Sequence, residues 1–129
     1  MSIQAYQTNA VETASPGELT LMLYNGCLKF IKLAGKAIDN KDYEQKNINI
    51  QKAQKIIQEL LVTLDPDISI SKEIMPLYDY INRRLLDANL KNDAAILEEA
   101  NELVGELRVT WKEVLRRTRQ GQFGKGGSA

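Results

Sequence analysis

Histidine is absent from all 129 residues. Its absence excludes Ser-His and Cys-His nucleophile pairs, and also the Glu-x-x-His ligands of di-iron helical bundles. Cysteine is nearly absent, since Cys27 stands alone and no internal disulfide can form. Cys27 lies within an apolar run, where a cysteine acts as a small buried hydrophobe, and no histidine or cationic trigger lies nearby to make it reactive. Net charge is also missing: 17 Lys+Arg balance 17 Asp+Glu, which removes any general pull toward nucleic acid or an anionic membrane. No apolar run reaches the roughly 18–20 residues of a membrane span, and the N-terminus lacks the basic start and apolar core of a signal peptide. The expected location is the cytoplasm. The one strand-like alternation, Ile68 to Ser71, is too short and isolated for a sheet. Without strands there is no place for a phosphate loop. These absences point away from an enzyme and from a cofactor, and toward binding.

What the chain does carry is helical periodicity. Ser15 is placed to cap a helix, Pro16 suits its first position and Glu18 completes a capping box, predicting a helix from about Pro16 to Ile38. Asp42 and Gln45 repeat that start signal, and Asp65-Pro66 ends the helix they open. On it Tyr43, Ile50, Ala53, Ile57, Leu60, Leu61 and Leu64 share one face, with Ile48 and Val62 off it. A third helix carries Ile74, Leu77, Tyr78, Ile81, Leu85 and Ala88. Pro76 either belongs to its first turn or bends an earlier start. Asn92 or Asp93 caps a fourth, whose seam is Leu97, Ala100, Val104, Leu107, Trp111 and Val114. Gly105 on that helix either admits a close neighbour or only costs helix stability. The expected fold is all-α, an antiparallel up-down four-helix bundle over 15–118. A mobile N-terminal segment (1–14) precedes it and a disordered glycine-rich tail (119–129) follows.

Two charged clusters read as ordinary surface. Glu98, Glu99, Glu102 and Glu106 could form a carboxylate-only metal site, but they sit off the seam as a solvated face does, and no metal is expected. Arg108, Lys112, Arg116, Arg117, Arg119 and Lys125 face Glu113 alone and suit a helix C-terminus. With only Phe123 nearby for stacking, no nucleic-acid role is expected.

The first helix is apolar around more of its circumference than a bundle helix needs. At about 100° per residue, Leu19, Met22, Leu23, Phe30 and Ala37 cluster around one direction, as a core face would. Leu21, Tyr24, Leu28 and Ile31 lie roughly 120° to 200° away. This second group is either packed within the bundle or covered by the N-terminal tail, a second copy in a homodimer, or another protein. Tyr80, turned away from the core face, suits either an interface or a half-buried boundary.

The strings SPGELTLMLYNG (Ser15–Gly26), KAQKIIQEL (Lys52–Leu60) and LYDYINRRLLDANLKND (Leu77–Asp93), followed by Trp111-Lys112, resemble the flagellar export chaperone family FliS over about residues 3 to 115. The resemblance implies a four-helix bundle that binds the disordered C-terminal segment of flagellin and prevents premature polymerisation. It further implies presentation of that complex to the cytoplasmic domain of the export-gate protein FlhA, with no insertion into the membrane. It matches Ile3 and Tyr6 to the family's N-terminal Ile-x-x-Tyr, which can dock on the bundle in competition with cargo. Leu21, Tyr24, Leu28, Ile31 and Tyr80 are the expected flagellin-binding residues.

Overall fold

The computed structural model describes residues 15–67 and 69–128, with side chains described to Thr118 apart from Pro16. Four helices follow one another: α1 (Pro16–Asp39), α2 (Tyr43–Thr63), α3 (Ser71–Lys91) and α4 (Ala94–Ser128). The expectations for residues 1–14, Ile3 and Tyr6 included, lie outside the described residues. Helical backbone continues to Ser128, past Thr118 where the sequence reading ends the bundle. The side chains of 119–129 are outside the described set, and with them the expectation of a disordered tail.

Local signals explain most helix boundaries. The Ser15 side chain accepts from the Glu18 N–H at 3.2 Å, and Asp42 accepts from the Gln45 N–H at 3.2 Å. Of the two candidates before α4, Asp93 is the cap, accepting from the Ala95 and Ile96 N–H groups at 2.9 and 3.3 Å. Asn92 instead closes α3 in the left-handed region at φ 51°, a conformation asparagine tolerates. Pro76 lies inside α3, which starts at Ser71 without a side-chain cap. The earlier of the two starts considered for that helix is the observed one.

The helices form a ring in which α1 adjoins α2 and α4, and α3 closes the other side. Short turns force antiparallel neighbours. The pairing of α1 with α4 shows it: the Trp111 indole N–H donates to the Gly17 carbonyl at 2.8 Å, and Arg108 Nε donates to Asn25 Oδ1 at 2.5 Å. The core runs through Cys27, Ile50, Ile57, Ile81, Leu85 and Val104, all fully enclosed. The α4 seam is buried at Leu97, Ala100 and Val104, partly buried at Leu107 and Trp111, and exposed at Val114. Burial fades because α1 begins at Pro16, level with Trp111, so α4 outruns its neighbour. Tyr43, expected on the core face of α2, is likewise exposed at the start of its helix.

Candidate binding surface

Of the α1 face expected in the core, Phe30 and Ala37 are buried and Leu23 packs against the core, while Leu19 and Met22 are half-buried. Tyr24 and Ile31 are each only 2% exposed, so they are core and do not belong to a free surface. This corrects their placement on an outward face. A helix at the corner of a four-helix ring touches two others, and those contacts lie on well-separated sectors of its circumference. What looked like a surplus is the sector turned toward α4 and the bundle centre. Leu28 packs partly against the core, and Leu21 is half-buried one turn before Tyr24. Tyr80 does stand at the surface, as a residue turned from the core face should.

Tyr24 reaches across the bundle to Tyr78, their hydroxyls hydrogen-bonded at 2.5 Å and their rings tilted at 60°. Burial pushes both phenols above their ordinary range. Cys27, one turn from Tyr24, has its thiol pushed up to about 12 by burial, which leaves it protonated and unreactive in the folded protein.

Between α1 and α4 a groove of about 820 Å³ remains open. Half-buried Leu28 supplies its open apolar surface, with the nearly enclosed Ile31 and Leu97 beneath and Gly35 and Gly105 beside them. Its α1 wall carries Lys29, Lys32 and Lys36 with Asp39 at the end, and its α4 wall carries Glu98 and Glu102. A Cβ placed on Gly105 would meet nothing within 4 Å, so of the two roles considered for this glycine, close approach by a neighbouring helix of the chain is not the one seen.

On the far side of α4, Glu99 accepts from Arg84 Nε at 2.7 Å and from the Tyr80 hydroxyl at 3.0 Å, joining α3 to α4. Arg84 and then Tyr80 hold the Glu99 carboxyl below its ordinary value, and the same carboxylate raises the Tyr80 phenol. The four glutamates therefore divide into different roles. Among the described residues no group of three His, Cys, Asp or Glu could hold a metal ion.

Two features escaped the sequence reading. Lys46, 6% exposed, donates from Nζ to the Asn89 carbonyl at 2.8 Å and to Asn92 Oδ1, which places a cation on the C-terminal end of α3. A lysine at helical spacing on α2 reads as solvent-facing, and only the tertiary fold reveals its acceptor. Leu86 and Leu90, exposed at 47% and 73%, form an i, i+4 apolar pair on α3. A helical wheel shows that pair off the Ile81–Leu85 face.

Fold and surface together define a small all-α binding module, with a groove between helices where another chain can lie. The family model for the flagellar protein FliS matches residues 1–118, and the chain belongs to that family. The flagellar secretion chaperone FliS of Bacillus subtilis (strain 168) is 54% identical over 125 residues, covering 97% of this chain and 94% of that protein. The FliS chaperone of Salmonella typhimurium is 36% identical, covering 82% of this chain and 81% of its own length. A crystal structure of a flagellar chaperone from bacteria superposes with a TM-score of 0.75 at 18% identity, covering 89% of this chain and 98% of that one, and shares the fold. The family and these relatives are chaperones, a non-enzymatic role.

Proposed function

We propose that this chain is a flagellar export chaperone that binds the disordered C-terminal segment of flagellin in the cytoplasm. It prevents premature polymerisation there and presents the bound segment to the cytoplasmic domain of FlhA. The observation that carries the reading is membership of the FliS family across the whole bundle, with relatives named as flagellar secretion chaperones. Among the described residues no helix is long and apolar enough to cross a membrane, in keeping with a cytoplasmic role.

The α1–α4 groove supports a mode of binding. An amphipathic helix laid into a groove buries its apolar stripe without any chemistry by the chaperone. Ordering a flexible segment costs several kcal/mol, so a long contact is needed for tight binding. Leu28 and Tyr80 are the proposed contacts within reach of a partner, with Leu21 beside the first. Tyr24 and Ile31 act from beneath by fixing the shape of the surface.

Co-purification tests the reading. Full-length flagellin should be retained, and flagellin lacking its C-terminal segment should pass through. Equal retention of both would overturn it. Leu28→Asp and Tyr80→Ala should weaken the complex in calorimetry while the bundle stays helical. The proposed docking of Ile3 and Tyr6 adds a second expectation: deleting residues 1–12 should raise cargo affinity, and weaker binding would instead mean that this segment touches cargo.

A further inference from the structure

The groove between α1 and α4 has walls of opposite charge. Lys29, Lys32 and Lys36 recur at i, i+3 and i+7 along α1, a rise of about 10 Å. Glu98 and Glu102, at i and i+4, face them from α4. All five are exposed, yet among the described residues no ion pair joins the two walls. Elsewhere on α4, Glu99 is held by Arg84, and Glu113 by Arg116 and Arg117. The groove thus keeps a net basic edge, three lysines against Asp39, apart from an acidic edge, over a floor centred on Leu28.

We propose that this groove takes an amphipathic helix with one acidic and one basic flank, and that the charged walls set the direction in which it lies. The inference rests on the chaperone reading above and adds the charge pattern and polarity of the bound segment. With its apolar face down, a helix that turns end for end exchanges its flanks. In one direction its acidic flank meets the lysines and its basic flank meets Glu98 and Glu102; in the other, like charges meet on both sides. Flanking charges choose partner orientation in coiled coils by the same means.

The test uses the full chain and the flagellin C-terminal segment with a nitroxide at its N-terminus. Affinity is read by calorimetry and direction by which groove-end amides, near Asn25 or near Ala94, are broadened. Lys32→Glu/Lys36→Glu or Glu98→Lys/Glu102→Lys gives both walls the same net sign and should weaken binding about tenfold at low salt. The loss should shrink toward about 0.5 M salt, where screening acts over a few ångström. The fourfold exchange should restore affinity and move the broadening to the opposite end. None of these four side chains makes an ion pair within the bundle, so the variants should fold. Unchanged affinity in both wall variants, or restored affinity without reversal, overturns the inference and leaves the chaperone reading standing. A wild-type chain that does not bind the segment overturns the chaperone reading, and this inference with it.

Discussion

The Tyr24 and Tyr78 hydroxyls are partners in the interior, each enclosed by core side chains. Removing one leaves the other buried with its hydrogen-bonding capacity unmet, whereas removing both leaves two apolar rings in contact. Tyr24→Phe and Tyr78→Phe should therefore each lower stability by about 1–3 kcal/mol, and the double variant by less than their sum. Urea denaturation of the four proteins checks this, and additive losses would refute the coupling. Because burial raises both phenols above their ordinary range, this pair stays neutral through physiological pH and gives the fold no pH dependence there. Tyr24 also shows where sequence reading stops at this scale. Its angle on the helix was readable, but not whether a neighbour stood opposite. Burial of a tyrosine depends on a hydroxyl partner, and Tyr78 is 54 residues away in the chain.

At the scale of elements, start and stop chemistry was the most legible part. Ser15, Asp42 and Asp93 act on N–H groups two or three residues away, so their effect is local and the sequence holds it entirely. The two stripes of α1 were legible as angles, but that Tyr24 and Ile31 of the second stripe also pack in the core needed the ring order of the helices, which is not local. The acidic residues of α4 went further unread, since Glu99 acquires its role only from α3. That link makes a pH-dependent prediction. Arg84 and Tyr80 hold the Glu99 carboxyl below its ordinary 4.5, so the unfolded chain takes up that proton more readily than the folded one. The stabilisation is complete above about 4.5 and disappears as pH falls through the lower folded value. Glu99→Gln should lower the urea midpoint at pH 7, and its curve should converge on that of the wild type as the pH falls well below 4.5. A constant gap across that range would show that the carboxylate charge is not what joins α3 to α4. Glu113 is held lower still, at about 2, by Arg116 and Arg117. All three are largely solvent-accessible on one helix, where ion pairs contribute little, so these two pairs should barely move the curve.

For the molecule as a whole, Cys27 offers a measure of how the bundle opens and what holds it shut. It is fully enclosed, and its thiol is pushed up to about 12, so the folded protein should not react with a thiol reagent at pH 8. Its sulfur lies 3.9 Å from the Ala53 carbonyl of α2, within the core cluster that also holds Phe30 and Ile57. Exposing it means separating α1 from α2, the most extensive helix pairing in the ring and one the rest of the bundle depends on. Labelling should then require cooperative unfolding, with a urea dependence equal to that of the global transition. A much weaker dependence would mean that α1 frays from the bundle on its own. A segment that binds only the folded chain must slow this opening by mass action, by a factor of 1 + [L]/Kd. At a hundred times Kd, labelling should be about a hundredfold slower, equivalent to about 2.7 kcal/mol. Flagellin lacking its C-terminal segment should leave the rate unchanged. Because Cys27 is buried away from the groove floor, protection by the intact segment reads stabilisation of the bundle and not shielding of the sulfur. If both forms of flagellin protect equally, the contact that matters lies outside that segment.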